Sequence, residues 1–186
     1  MSKKPIVINV RGNSGSGKTH LTREFMKLCK PLEGDFQQDN GFQFGRQRWV
    51  VLGRYSNVCG GCDTIKTQQE VVDRVRAYTD RKFNVWCEGL IMSTIYGTVG
   101  AYSEQFEDRW VFAYLLTPLD VCLQRIYKRR EQAGQIKLFN ELNTCNRVYS
   151  IESSRMKCVD RGRRVVDLDW HKPLPQLLTI IRKEGL

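Results

Sequence analysis

The sequence predicts an α/β fold in which a parallel sheet is wrapped by helices, all in one domain spanning residues 1–186. Five apolar, β-rich runs alternate with helical patterns, as they do where helices form the crossovers between parallel strands. The first run ends in a glycine-rich turn that leads directly into a helical pattern. No linker, repeat or shift in composition divides the chain, and its length suffices for one buried core.

Strands are expected at residues 6–10, 49–54, 83–87, 110–116 and 164–168, and helices at 19–29, 67–79, 119–130, 139–159 and 174–183. The first strand, Ile6-Val7-Ile8-Asn9-Val10, is β-branched and almost wholly apolar, which suits a strand covered on both faces. In the first helix Leu21, Phe25 and Leu28 recur at helical spacing until Pro31 stops the pattern. Residues 31–47 follow no clean period, because Phe36, Phe42, Phe44 and Trp49 are interleaved with glutamines and arginines. Such a mixture can stack a base and bond its edge, or form a hairpin turning at Asp39-Asn40-Gly41 with its aromatics inward. Val71, Val72, Val75 and Tyr78 give the second helix one apolar stripe. Pro118 suits the first turn of the third helix. Right-handed crossovers then place a ligand at the carboxyl ends of the strands.

The turn after the first strand is Gly12-Asn13-Ser14-Gly15-Ser16-Gly17-Lys18-Thr19, a complete G-x-x-x-x-G-K-[ST] phosphate-binding loop between a strand and a helix. Its glycines let backbone N–H groups wrap phosphates, and the helix adds its positive N-terminal end. Lys18 reaches the β- and γ-phosphates and the Thr19 hydroxyl ligates magnesium, so ATP and Mg2+ are the expected ligands.

Other positions must decide where the phosphoryl group goes. Phe83-Asn84-Val85-Trp86-Cys87-Glu88-Gly89 is an apolar strand ending in a carboxylate and a glycine. Glu88 is thereby expected in the strand-end crevice, holding magnesium or taking a proton from an acceptor hydroxyl. Asp63 follows the glycines of Cys59-Gly60-Gly61-Cys62 and opens the next helix, as a general base, an N-cap, or both. Cys59 and Cys62 have metal-like spacing but lack a second pair. Arg125, Arg129 and Arg130 follow Leu115-Leu116-Thr117-Pro118 and precede a hinge-like segment at 131–135, so they are expected in a lid of about residues 125–157 that clamps the transferring group or the nucleotide. The turn at Asp167-Leu168-Asp169-Trp170 is expected near the adenine.

The formal net charge is +10, and residues 125–164 hold eleven Lys/Arg against four acids, a net of +7. A surface this basic suits a nucleic acid, though a solvated helical face has the same composition. No apolar run is long enough to cross a bilayer and the N-terminus lacks a signal-peptide core, so a soluble, cytoplasmic protein is expected. Seven scattered cysteines do not form a disulfide framework.

With these residues in view, the chain resembles the small P-loop kinases, which include nucleoside, nucleotide, gluconate and shikimate kinases. The likeness rests on residues 12–19, Glu88, and Leu-x-Thr-Pro followed by an arginine-bearing helix. It implies a five-stranded parallel sheet in the order 2-3-1-4-5, a strand-end carboxylate that activates the acceptor, and lid arginines over ATP. Lys18, Thr19, Asp63, Glu88, Arg125 and Arg129 take those roles. The Asp-Arg-Tyr of thymidylate kinases and the Glu-Arg-Ser of deoxynucleoside kinases are both lacking. Gly53-Arg54-Tyr55, Cys59-Gly60-Gly61-Cys62-Asp63 and the basic charge look more like the bacteriophage kinases that phosphorylate 5-hydroxymethyluracil inside DNA. That resemblance implies DNA bearing a modified pyrimidine as partner and the host cytoplasm as location. The rivals are a free nucleoside or nucleoside monophosphate kinase and, from another class, a nucleic-acid-binding NTPase.

Overall fold

The computed structural model describes residues 4–56, 60–135 and 138–184. Its sheet has seven strands: β1 (Val7–Arg11), β2 (Lys30–Pro31), β3 (Asn40–Phe44), β4 (Gln47–Val51), β5 (Asn84–Glu88), β6 (Trp110–Leu115) and β7 (Arg164–Leu168). They lie in the order β2-β3-β4-β5-β1-β6-β7. The five strands from β4 to β7 are parallel neighbours in the order implied by the resemblance. The sheet is nevertheless mixed, because β2, β3 and β4 pair antiparallel and extend one edge. Pro31, residues 40–44 and Gln47 therefore belong to the sheet. Their hairpin turns at Gly45 and Arg46, with Gly45 at φ 60°, and not at Asp39-Asn40-Gly41. Asp39 is instead buried, accepting from the Gly53 N–H at 2.7 Å and the Tyr78 hydroxyl at 3.1 Å and pairing with Arg74 at 3.0 Å. Phe36, Phe42 and Trp49 are buried, so the aromatics of this region pack inward.

Helices α1 (Lys18–Lys27), α2 (Gln68–Asp80), α5 (Leu119–Gln132), α6 (Glu141–Asp160) and α7 (Pro173–Lys183) fall within about two residues of the expected ones. Two short helices, α3 (Leu90–Thr94) and α4 (Gly97–Ser103), lack a sequence period because neither completes the two turns a period requires. Thr67 caps α2 by accepting from the Glu70 N–H, which leaves Asp63 in a separate 3-10 turn, Cys62–Thr64.

Apolar side chains cover both sheet faces. On one, Val72, Val75 and Tyr78 of α2 and Val99 and Tyr102 of α4 meet Val85 and Phe112. On the other, Leu21 and Phe25 of α1 and Leu177 and Ile181 of α7 meet Ile8, Trp49 and Trp86. Phe25 is fully buried, stacked on Trp86 with ring centroids 4.4 Å apart and edge-on to Trp49 at 5.3 Å. The Trp86 indole N–H also donates to Thr22 Oγ1 at 2.9 Å, so α1 is held at a set height over the sheet. That contact positions the phosphate loop, which α1 continues. Phe25→Ala should destabilise the fold by about 3–5 kcal/mol through lost burial and a residual cavity, read as a lowered urea midpoint at unchanged slope.

Candidate active site

The first strand delivers the loop. β1 is buried along its whole length, and the chain turns at Gly12 into residues 12–17 before α1 begins. Gly15 has φ +77°, and a side chain there would bring Cβ within 2.4 Å of the Cys122 carbonyl on α5. The glycine is what lets the loop lie against α5. Asn13 links it to α6 as well: its Nδ2 donates to the Thr144 carbonyl at 2.9 Å while its Oδ1 accepts from the Ser14 N–H. Lys18 Nζ donates to the Gly12 and Asn13 carbonyls, both at 2.9 Å, and so holds the loop in its curled shape.

Parallel pairing of β1 with β5 sets Val10 opposite Glu88, bringing the carboxylate beside α1. Thr19 Oγ1 donates to Glu88 Oε1 at 2.9 Å. Glu88 is 1% exposed, and burial pushes its carboxyl up to about 7 against the pull of Lys18, the Thr19 hydrogen bond and Arg23, with Asp63 adding to the rise. Two hard oxygens at this spacing suit a small divalent cation that keeps most of its waters and takes further ligands from phosphates. Among the described residues no cluster of three or more His, Cys, Asp or Glu could hold a metal alone. Cys59 lies outside the described residues, and Cys62 is buried against Cys87.

Asp63 stands at the rim of the same crevice and is exposed. Its carboxylate oxygens accept from the Leu90 N–H at 2.9 and 2.8 Å, and Oδ1 also from Ile91 at 3.3 Å. It therefore caps α3 from a distance and does not open α2. The turn carrying it approaches Glu88 closely: at Gly61, with φ +78°, a Cβ would lie 2.7 Å from the Glu88 carboxyl. The two carboxylates share a crevice of about 350 Å3 with Lys18, Thr19 and Arg129.

The arginines divide. Arg129 lines this crevice. Arg125 lines it too, but its Nη1 donates to the Ser16 and Gly15 carbonyls at 3.1 and 3.3 Å, bracing the loop from behind. Arg130 is not among the crevice residues. It donates to Gln135 Oε1 at 3.0 Å and lies over the Phe139 ring, so it serves the joint between α5 and α6. Two further arginines reach the site unforeseen. Arg23 lines the crevice and donates to the Tyr55 carbonyl at 3.0 Å, and Arg147 of α6 points Nη1 at Ser14 Oγ, 3.5 Å away. Arg23 lies on α1 one turn beyond Thr19, a spacing that would have revealed it, whereas Arg147 has no local signal.

A second cavity, of about 690 Å3, opens beside Gly17 between α1 and the turn after β7. Arg125 lies over the Trp170 ring at 5.2 Å there, with His20 and Pro173 completing the walls. Trp170 and His171, in the turn expected near the adenine, line this cavity. Asp169 itself turns away and accepts from the His171 N–H at 2.9 Å. Part of the basic segment is structural: Arg155 pairs with Asp167 and Glu152, and Arg164 with Glu184. No helix among the described residues is long and apolar enough to cross a membrane.

Comparison with known proteins assigns the family. A "5-hmdU DNA kinase" of Pseudomonas phage M6 is 31% identical, the match covering 96% of this chain and 98% of that protein. The chain belongs to the 5-hmdU DNA kinase family. A second member, from Pseudomonas phage PaMx11, is 33% identical over 135 residues, covering 68% of this chain and 70% of its own. No protein-family model matches the sequence. Among solved structures, a deoxyadenosine kinase from M. mycoides with bound dCTP superposes with a TM-score of 0.51 at 12% identity, covering 96% of this chain and all of that one, which shows a shared fold.

Two predictions follow from the carboxylate geometry. Below about pH 4.5 Glu88 is protonated in both folded and unfolded chains; between 4.5 and 7 only the folded chain keeps the proton, so stability falls as pH rises and the full cost persists above 7. Glu88→Gln should therefore raise stability relative to the parent by about 2 kcal/mol more at pH 8 than at pH 5, in metal-free urea unfolding. Gly61→Ala should displace Glu88 and lower phosphoryl transfer by about tenfold or more, read in steady-state assays with ATP binding by calorimetry as control.

Proposed function

We propose that this chain transfers the terminal phosphoryl group of ATP to the 5-hydroxymethyl group of 5-hydroxymethyluracil in DNA. The supporting observation is the apposition of the phosphate loop to two carboxylates of different exposure, Glu88 buried against Thr19 and Asp63 open at the rim. Membership of a family whose phage relatives are named 5-hmdU DNA kinases supports the choice of acceptor.

On this reading, N–H groups of residues 12–17 and the start of α1 cradle the β- and γ-phosphates, with Lys18 at their edge. Thr19 and Glu88 hold Mg2+, which neutralises phosphate charge when bound. The base lies in the cavity between Arg125 and Trp170. An acceptor hydroxyl entering from solvent meets Asp63 first, already oriented by the N–H groups of α3. Asp63 takes the hydroxyl proton, the oxygen bonds to the γ-phosphorus in line, the bond to the β-phosphate oxygen breaks, and ADP leaves. Arg129 and Arg147 stabilise the charge on the transferring group. A hydroxymethyl at C5 projects into the major groove, so the acceptor need not be fully flipped from the duplex. The basic residues of α5 and α6 give the DNA its electrostatic footing. The host cell's cytoplasm is the setting this implies.

The test is an acceptor screen with γ-labelled ATP on DNA containing 5-hydroxymethyluracil, unmodified DNA and free nucleosides. Label is expected in the modified DNA; label confined to free nucleosides, or released only as phosphate, would overturn the proposal. Asp63→Asn should retain ATP affinity within about twofold and lose at least about a hundredfold in transfer, the usual scale for a general base. If it keeps full activity while Glu88→Gln loses it, the proton goes to Glu88.

A further inference from the structure

A cavity of about 520 Å3 lies outside the nucleotide crevices, between the joint of α3 and α4 and the C-terminal half of α6. Residues 94–97 form one wall, and Ser153, Ser154, Lys157, Asp160 and Arg161 form the other. Those α6 positions fall on one helical face. Beneath it lies Arg11, the last residue of β1, which is wholly buried. Arg11 Nε donates to Asn9 Oδ1 at 2.7 Å, and Nη1 to Ser154 Oγ at 2.9 Å and Tyr114 Oη at 3.3 Å. Its Nη2 is buried with no acceptor.

A second guanidinium, half-buried, lies nearby. Arg163 follows the end of α6, and its Nη1 is likewise buried without an acceptor. Both charges converge on Cys158, whose thiol is raised by burial while Arg11 and Arg163 pull it back. Neither arginine has an ion pair among the described residues. Lys157 and Arg161 line the cavity, and Arg11 lies behind its wall, bonded to Ser154. The opposing acids are Asp160 and Glu104, the latter 3.5 Å from Arg161 across an exposed contact. A buried guanidinium with no counter-ion and one unpartnered nitrogen is costly, even with the Phe112 ring 4.5 Å away, and the charge of a nearby anion offsets that cost.

Location narrows the anion. Helix α3 runs from the Asp63-capped start at Leu90 to Thr94 on the cavity wall, five residues or about 7.5 Å of helix. That is about two base-pair steps of 3.4 Å from the crevice where the acceptor hydroxyl meets the carboxylates. Ser153 and Ser154 supply hydroxyls, which bond phosphate oxygens without selecting a base, whereas the Thr94 hydroxyl already donates to the Ile91 carbonyl at 3.1 Å.

We propose that this cavity seats a backbone phosphodiester of the acceptor DNA, held by Lys157, Arg161 and the hydroxyls of Ser153 and Ser154 near the buried Arg11 guanidinium. The assignment rests on the DNA-acceptor reading above and adds a selective element: a free nucleoside lacks the group that occupies this site.

Binding of a fluorescent duplex carrying one 5-hydroxymethyluracil, followed by anisotropy across a salt series, tests it. Lys157 and Arg161 are exposed, so the K157A/R161A double variant should fold normally, with ATP affinity unchanged. It should bind the duplex about tenfold more weakly and lose about 0.9 from the slope of log K against log salt for each phosphate contact removed. A neutral methylphosphonate, placed in turn at each linkage within three nucleotides of the modified base, should weaken the parent at one position and leave the double variant unaffected there. Equal affinity and slope in parent and variant, or methylphosphonate effects identical in both, would overturn the cavity assignment. Competition by inorganic phosphate with no positional methylphosphonate effect would mark a free-anion site and overturn it too. Labelling of modified DNA by the parent enzyme separates the two levels: its absence defeats the DNA-kinase reading, whereas its presence with an unaffected variant defeats the cavity alone.

Discussion

The pairing of β1 with β5 is the constraint on which the site depends. A parallel ladder with Val10 opposite Glu88 ends both strands at the same height, so the loop leaving β1 and the carboxylate closing β5 meet at one edge. Slippage by one residue would turn Glu88 to the opposite face of the sheet and put an apolar side chain beside Thr19. The register is held by burial. Every residue of β1 and β5 is buried, and the stack of Phe25 on Trp86 fixes α1 over the same two strands. Packing on the sheet and chemistry at its edge are therefore one arrangement.

That arrangement gives two acidic side chains opposite characters at close quarters. Glu88 is buried beside the lysine and threonine of the loop, with its carboxyl lifted towards neutrality. Asp63 stays in contact with solvent, its oxygens tethered to the first N–H groups of α3. A carboxylate so tethered has a fixed direction without being sealed from an incoming hydroxyl. Gly61 makes the proximity possible, since a side chain there would occupy the space of the Glu88 carboxyl.

The basic segment serves more than one purpose. Arg155 ties α6 to Asp167 of β7, Arg164 ties β7 to Glu184 at the end of α7, and Arg125 braces the phosphate loop. Arg129 and Arg147 approach the crevice, while Lys157 and Arg161 line a separate cavity. Net charge alone cannot divide these roles, because a paired and an unpaired arginine contribute equally to it. Geometry divides them by asking which guanidinium nitrogens already have acceptors.

Much of this was legible in the residues. The phosphate loop, the five parallel strands, the long helices and the placement of Glu88 follow from spacings of ten residues or fewer, where dihedral preference and periodicity dictate the outcome. The edge hairpin was only half legible: its aromatics packed inward, but Asp39, read as a turn residue, became a buried partner of Tyr78 and Arg74. Arg130 belonged by spacing with Arg125 and Arg129, yet it faces Phe139 because adjacent positions on a helix diverge by about 100°. The residues alone place a triphosphate-binding turn at the carboxyl edge of a parallel sheet, with an acid closing another strand of that sheet. The capping of α3 by Asp63, the reach of Arg147 to Ser14 across 133 residues and the burial of Arg11 beneath a basic cavity emerge from long-range packing. The reason is physical: a local motif carries its own geometry, whereas contacts between distant residues exist only after sheet register and helix packing have set which faces meet.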